Sequence, residues 1–363
     1  MPNLGDLTVV STRFLIGLLA ITLAVWAGLA QRWRSSRGGG RPGRGGRRAS
    51  AGIGLIATVL TVLLVADGVN SYYSYLPNVS DVVAAIGSDP PPALPAAVSD
   101  LRTAGSPHGR LFRLPIPDNG SGFHASTAWV WLPPQYFTAS LQRLPVVYLF
   151  HGSPGMPKDW FHGGEAGQIA RSLAGRRLPV IVVAPQMSKN WLDDPECVDG
   201  LHEKIEAHLL RDVIPTVDQR LHTIASRTGR IFAGMSAGGY CALNLGLRHR
   251  SLVATVLDLS GYTMPTHAGG MAALFGRDLA AVAPNSPDLY ARSLAGGPAM
   301  RIWLDSGSAD RQVVLQMNAI APQLRADGMT VVQHTRPGEH TYSVWRPALR
   351  QSLAWALGGL PDT

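Results

Sequence analysis

The sequence predicts an α/β protein, a doubly wound and mostly parallel sheet, carried behind two membrane-spanning helices. Three observations predict it. Two uncharged apolar runs lie near the N-terminus, from Phe14 to Ala30 and from Ala51 to Ala66. From about residue 107 onward, short apolar runs alternate with segments of helical period. One of those runs, "RIFAG", breaks into Gly234-Met235-Ser236-Ala237-Gly238, a serine held between glycines where a strand gives way to a helix.

Each apolar run, with its flanks, approaches the ~20 residues that a helix needs to cross a bilayer, and neither shows a polar face. Spans at about 10–30 and 51–69 are expected. A cleaved signal peptide is the competing reading of the first run; the second span that follows, and the lack of an evident cleavage site, count against it. Between the spans, "QRWRSSRGGGRPGRGGRRAS" (Gln31 to Ser50) holds seven arginines and no acid. The net charge of the chain is +8, so everything outside that stretch carries only 8 − 7 = +1. The basicity is therefore local and argues for no nucleic-acid partner. A short arginine-rich loop stays in the cytoplasm. Residues 1–69 are thus read as a multi-pass cell-membrane anchor, with everything after about Val69 extracytoplasmic. Residues 70–106, with "SDPPPALPAAVSD", read as a semi-extended Pro-rich linker. Residues 107–363 remain for the folded domain.

Within that domain "GRLFRLPIP" and "STAWVWLPP" read as two early strands, each closed by proline. "LPVVYLFHG" and "LPVIVVAPQ" are apolar throughout, as strands buried on both faces are. "EAGQIARSLAGR" between them reads as a helix. "LHEKIEAHLLRDVIPTVDQRL" repeats Leu201, Ile205, Leu209 and Val213 at a spacing of four, with a kink expected at Pro215. "GRIFAG", "LVATVLDLSG" and "AMRIWLDSG" supply further strands, and "RQVVLQMNAIAPQLRADG" and "YSVWRPALRQSLAWALGG" two helices ending near glycine. In such sheets ligands sit at the carboxyl ends of the strands.

The G-x-S-x-G stretch answers to that geometry. A strand-to-helix turn pushes the serine hydroxyl out above the sheet in a strained conformation. Gly234 and Gly238 are glycines because side chains there would meet the neighbouring strand and helix. Ser236 is the candidate nucleophile, and it needs a base oriented by an acid. In folds with this elbow the order along the chain is Ser, then Asp or Glu, then His. Two acids follow "MRIWL". Asp305 ends the strand itself, while Asp310 lies in the loop beyond, from which an acid reaches round to a histidine; Asp310 is preferred, with an N-cap role as its alternative. Of the histidines after the last strand, His334 lies within the strand pattern and is expected to be a packed polar residue. His340, past Gly338, is the candidate base. The oxyanion needs two backbone N–H donors. Ala237, after the nucleophile, supplies one, and Ser153 in "LFHGSPGMPKDW" supplies the other; His151 is expected to prop that loop rather than to act as a base.

Cys197 and Cys241 both fall in the exported part, where two thiols suggest a disulfide; two separate buried thiols are the alternative. Thr263 to Pro298 is inserted between two strands and is expected to form a pocket wall or lid.

At these residues the chain resembles a known family. "LFHGSPGMPKDW", "HLLRDVIPTVDQRL", "GRIFAGMSAGGYCALNLGLRHR", "LDLSGY", "DSGSAD" and "GEHTYSVWRPAL" together look like the putative-esterase group of the α/β-hydrolases. That group includes esterase D (S-formylglutathione hydrolase), feruloyl esterases, enterochelin esterases and the secreted mycolyltransferases. The resemblance covers roughly residues 107–358. It implies the α/β-hydrolase fold, a Ser236–Asp310–His340 triad, and an oxyanion hole at Ser153 and Ala237. Two departures lie away from the chemistry: members often have Arg-His-Pro where this chain has Arg248-His249-Arg250, and a tyrosine where Leu221 stands. The two apolar runs lie outside the shared region and resemble the membrane-anchored actinobacterial members.

The expected activity is therefore hydrolysis of an ester through an acyl-enzyme, on a substrate that could be a lipid or another component of the cell envelope. Acyl transfer to an envelope glycan or lipid, hydrolysis of an aminoacyl lipid, and a non-enzymatic scaffold are the competing readings. No cofactor and no metal is implied, since residues 107–363 have no GxGxxG, no P-loop and no Cys/His cluster.

Overall fold

Two long apolar helices dominate the first of the chain's two units, Met1–Ser88; the second is Asp89–Thr363. The computed structural model describes residues 8–37, 44–87, 89–96, 106–138, 142–194, 196–267, 269–294 and 297–360. In the first unit α1 is Thr12–Arg37, α2 is Arg44–Tyr73 and α3 is Val79–Gly87. Thr8 pairs with Asn78, and the Val9 N–H donates to the Pro77 carbonyl at 2.9 Å, so the start of α1 lies beside the end of α2 and the two form an antiparallel hairpin. Trp26 Nε1 donates to Thr61 Oγ1 across it at 3.0 Å. Thr12–Ser35 and Arg48–Tyr73 are long and apolar enough to cross a membrane, and only 6% of each is covered by protein. Both helices outrun the expected spans, because arginine is a good helix former and prolongs each end into the basic stretch. Residues 38–43 of that stretch lie outside the described residues.

The expected linker 70–106 is not a free spacer where it is described. α2 runs on to Tyr73 and α3 follows it. In the second unit Ala93 pairs with Arg113: the Arg113 N–H donates to the Pro92 carbonyl and the Leu94 N–H to the Arg113 carbonyl, both at 2.8 Å. Proline lacks a donor but keeps its carbonyl, so a Pro-rich segment can still line a sheet edge. Leu94 is buried in the core. Residues 97–105 lie outside the described residues.

The second unit has the α/β-hydrolase fold. Its eight strands are β1 (Arg110–Ile116), β2 (Ser126–Leu132), β3 (Val146–Phe150), β4 (Ile181–Ala184), β5 (Arg230–Met235), β6 (Thr255–Leu259), β7 (Arg301–Gly307) and β8 (Thr330–Arg336). They lie in the order β1-β2-β4-β3-β5-β6-β7-β8. β2 runs antiparallel to both of its neighbours, β1 and β4, and the remaining pairs are parallel. β3, β4, β5 and β6 are buried along their whole length, as their unbroken apolar runs require. β8 is the edge. His334, expected to be packed within it, is exposed and stacks on Trp303 at 4.5 Å.

Helices cover both faces. α4 is Ala166–Gly175. The stretch expected as a kinked helix from Leu201 starts only at Ile205: a helical turn Ile205–Ala207, a π-turn His208–Val213, then α5, Ile214–Arg220. Pro215 has no N–H to return to Arg211, and the widened turn accommodates it. Ile205, Leu209 and Val213 are buried, while Leu201 stands exposed ahead of the helix. α6 is Ala237–Arg248. The insertion 263–298 is a string of short helices, with α7 at Gly270–Phe275 and α8 at Pro287–Tyr290; residues 268 and 295–296 lie outside the described ones. α9 is Arg311–Ala326 and α10 is Tyr342–Gly358.

Cys197 and Cys241 are joined, with their Cα atoms 5.3 Å apart and a separation of 44 positions in sequence. The bond ties the loop after β4 to α6. A closed loop of that length restricts the unfolded chain by about 4 kcal/mol in the chain-entropy account. For a domain of this size that corresponds to a fall in melting temperature of roughly 10 °C on reduction, at about 2–4 °C per kcal/mol. Thermal unfolding of the full chain in detergent, with and without reductant, checks it; an unchanged melting temperature would show that the bond carries no stability.

Candidate active site

The site is set by register. β3 and β5 are neighbours, and Phe150 lies opposite Gly234. β4 extends the sheet on one side of β3 and β5 on the other, so the chain reverses direction between β3 and β5. That is the switch point at which α/β sheets bind their ligands. The residues leaving these two strands, Gly152 and Ser153 on one side and Ser236 on the other, must therefore meet. A Cβ on Gly152 would lie 3.4 Å from the Ser236 Cβ.

Ser236 sits at the turn with φ 55° and ψ −123°, in the strained region that the G-x-S-x-G pattern predicted. The two flanking glycines are obligatory. A Cβ on Gly234 would lie 1.8 Å from the Gly238 carbonyl oxygen, and one on Gly238 would lie 2.0 Å from that of Phe150. The Ser236 N–H donates to the Leu259 carbonyl at 3.0 Å, while its own carbonyl starts α6.

The structure brings the three sequence-predicted side chains into one line. Ser236 Oγ lies 2.8 Å from His340 Nε2, and His340 Nδ1 lies 2.5 Å from Asp310 Oδ2. The Asp310 carboxylate accepts from Nδ1–H, which leaves Nε2 as an acceptor for the serine proton. Asp310 stands at the N-cap of α9, but its side chain makes no capping bond and is given to His340. Trp345 meets the His340 ring edge-on at 5.0 Å and backs it.

Asp305, the other candidate acid, is fully buried inside β7 and is held by Arg336, whose Nε donates to Oδ1 at 2.7 Å, and by Trp303 Nε1 at 3.1 Å. It makes no hydrogen bond to a histidine side chain among the described residues. His151 has the propping role expected of it: its Nδ1–H donates to the Gly152 carbonyl at 2.9 Å and its Nε2 accepts from the Met187 N–H at 3.4 Å. Burial holds its pKa below the usual histidine value, so the ring is neutral, as that pattern demands. Neither the Ser153 nor the Ala237 N–H donates to a protein acceptor among the described residues.

Beside Ser153 the loop 189–203 forms the wall of a cavity of about 470 Å³, which Leu192, Asp193, Asp194, Leu201, His267 and Leu274 help to line. Ser153 Oγ donates to the Asp193 carbonyl at 3.2 Å, and the Gly155 N–H to that of Trp191 at 3.0 Å, fixing wall and loop together.

Sequence reasoning missed two features. The first is Glu196, buried next to the disulfide. Tyr262 Oη donates to its Oε1 at 2.6 Å and Thr266 Oγ1 at 3.1 Å. Burial, and then the neighbouring Asp194, push its pKa up to about 9, so it is a neutral acid at pH 7. "DDPEC" reads as a solvated acidic loop, and nothing local reveals its partners on the segment after β6. The second is another aligned trio: Ser126 Oγ lies 3.1 Å from His208 Nε2, and His208 Nδ1 lies 2.8 Å from Asp212 Oδ2. It is wholly buried and covered by Phe123, whose ring lies 4.2 Å from that of His208.

The sequence pattern of the family described as "Putative esterase" matches residues 124–356. The chain is 29% identical over 268 residues to an uncharacterized protein of Corynebacterium glutamicum, covering 69% of this chain and 63% of that one. It is 30% identical over 161 residues to an endo-1,4-beta-xylanase/feruloyl esterase of Xylanibacter ruminicola, covering 43% of this chain and 22% of that one. The chain thus spans less than two thirds of either relative. Among solved structures it is similar to an S-formylglutathione hydrolase from Agrobacterium tumefaciens, with a TM-score of 0.60 and 17% identity, over 70% of this chain and 97% of that one.

The Glu196 carboxyl makes stability depend on pH. Its folded value of about 9 lies above the ordinary 4.5, so its contribution is fully present below pH 4.5 and is lost as pH rises toward 9. Between about pH 5 and 9 the melting temperature of the wild-type chain should fall more steeply than that of Glu196→Gln, which keeps the shape without the proton. Parallel curves would mean that Glu196 is ionised in the fold.

Proposed function

The chain belongs to the Putative esterase family, and from that premise we propose that it is a membrane-anchored serine esterase with Ser236 as nucleophile, His340 as base and Asp310 as the acid that orients it. The observation that carries this reading is the open Ser236–His340–Asp310 line at the switch point, with the Ser153 and Ala237 amides beside it free of protein acceptors among the described residues.

His340 Nε2 takes the Ser236 proton as Oγ attacks the ester carbonyl carbon. The oxyanion then faces the amides of Ser153 and Ala237, and the first turn of α6 adds its positive dipole end. The protonated imidazole, held by Asp310, gives its proton to the departing alcohol, leaving an acyl group on Ser236. Water, activated by the same imidazole, releases the acid. His151, Gly234 and Gly238 take no part in proton movement and hold the geometry.

The anchor reading rests on the antiparallel hairpin of α1 and α2 and on the arginines at their joined ends. Seven cations resist export, so the loop stays in the cytoplasm and the hydrolase domain emerges on the outer side. An extracytoplasmic site agrees with the Cys197–Cys241 bond, since oxidising surroundings keep such bonds closed.

Ser236→Ala should lower the hydrolysis of p-nitrophenyl acetate by on the order of 10⁴ and abolish labelling by a fluorophosphonate, while leaving the melting temperature unchanged. Asp310→Asn should cost roughly 10⁴ in kcat. Asp305→Asn should instead strand Arg336 and lower the melting temperature while labelling persists. Substantial activity in Ser236→Ala would end the assignment.

A reporter that functions only outside the cytoplasm should be active when fused after Thr363 and silent when inserted near Gly40. The opposite pattern would put the hydrolase domain in the cytoplasm.

A further inference from the structure

Among the described residues of Asp89–Thr363, seven large hydrophobic side chains stand out in water, with exposures from 38% to 74%. All of them come from segments that follow the carboxyl ends of parallel strands. Trp191, Leu192 and Leu201 follow β4; Met264, Leu279 and Leu289 follow β6; Leu315 lies in the first half of α9, which follows β7. The covering helices α4, α5, α6 and α10, and the β1–β2 end of the sheet, expose none. This distribution is not that of scattered surface residues, which need no explanation.

The three segments are stitched together. The Leu201 N–H donates to the Leu274 carbonyl at 2.7 Å, joining the loop after β4 to α7. The Asp288 N–H donates to the Thr263 carbonyl at 3.2 Å, and Gln316 Oε1 accepts the Thr263 N–H at 3.1 Å, joining the insertion to α9. Leu192 and Leu201 also line the cavity whose wall is bonded to Ser153. The exposed side chains thus form an apolar collar on the side of the domain where Ser236 opens.

We propose that this collar is a lipid-docking surface, and that the ester cleaved at Ser236 is one borne by lipid with an apolar chain. The second half of the proposal rests on the esterase reading of Ser236; the first does not. The occupant is hydrocarbon and not an anionic headgroup, because residues 189–204 carry two lysines against four acids besides the neutral Glu196 and would repel negative charge. A bilayer is also the one partner that the chain brings with it, through two helices of membrane-crossing length. Bilayer-facing surfaces of this kind use Leu, Met and Trp side chains that gain by leaving water. The ester need not leave the lipid phase as a free monomer to reach the serine.

The test uses the full chain in phosphatidylcholine nanodiscs. With bromine-labelled acyl chains, the part of the fluorescence that Trp191→Phe removes should be strongly quenched relative to unlabelled discs. Equal intensity in both discs overturns the docking. On the same discs, Leu192→Ser combined with Leu279→Ser should lower the ratio of kcat/KM for disc-borne p-nitrophenyl myristate to that for water-soluble p-nitrophenyl acetate at least tenfold. An unchanged ratio overturns the lipid-substrate half. If the wild-type chain cleaves neither ester, the esterase reading falls and takes that half with it, while the quenching still decides the docking.

Discussion

The site depends on one steric constraint, the approach of α6 to the ends of β3 and β5 without any side chain between them. The gaps at Gly234 and Gly238 leave no room for a Cβ. Because the helix starts that close, Ser236 has to make the turn by itself at φ 55°. Such a conformation costs on the order of 1–3 kcal/mol and survives only where surrounding bonds over-determine it. Here the Ser236 N–H is held by Leu259 from β6, and its carbonyl by the amides of Gly239 and Tyr240. Ala237, as the first residue of α6, has an amide outside the helix ladder, and the same closeness brings Gly152 alongside Ser236. The Ser236 hydroxyl and the backbone of Ser153 and Ala237 are brought to one place by a single packing contact.

The next layer is fixed by the loop 189–203, which is fastened at three points. The disulfide ties Cys197 to α6, Ser153 holds Asp193, and Glu196 holds Tyr262 and Thr266. Glu196 and Cys197 both adopt positive φ, a turn that these fastenings maintain. The neutral state of Glu196 belongs to this arrangement, because a charged carboxylate beside Asp194 would repel it in a place where water cannot screen the two.

Much of this was legible in the sequence, for physical reasons that differ from residue to residue. The central strands were legible because burial on both faces leaves nothing but apolar residues, as in "VVYLF". Ser236 was legible because only glycine tolerates its neighbours' positions. Preferring Asp310 over Asp305 needed only the end of a strand: a residue inside β7 points into the layers, while one beyond it can reach across. The failures share a cause as well. The helix expected from Leu201 starts at Ile205 because Leu201 is drawn to Leu274 in the insertion. The expected linker carries α3 and an edge pairing with β1, for which proline's missing donor gave no hint. Glu196 is anchored by Tyr262, which lies 66 residues further along the chain. Local pattern reports burial and turns; it does not report which distant segment will supply a partner.

The two aligned trios of serine, histidine and aspartate show why residue types alone do not make a reactive site. In the Ser126–His208–Asp212 trio every member is enclosed, and burial holds the His208 pKa below the usual range. Asp212 also accepts from Ser121 Oγ and from the Asn119 N–H, so its oxygens fasten the connection between β1 and β2 to the π-turn. A substrate has no way in past Phe123. The Ser236 line has the same atoms in the same sequence of contacts, but it stands where strands end and the chain reverses direction in the sheet, with the His340 side chain 36% exposed. A trio of this kind is structural where a ring closes over it, and available for chemistry where the ends of the strands leave it open.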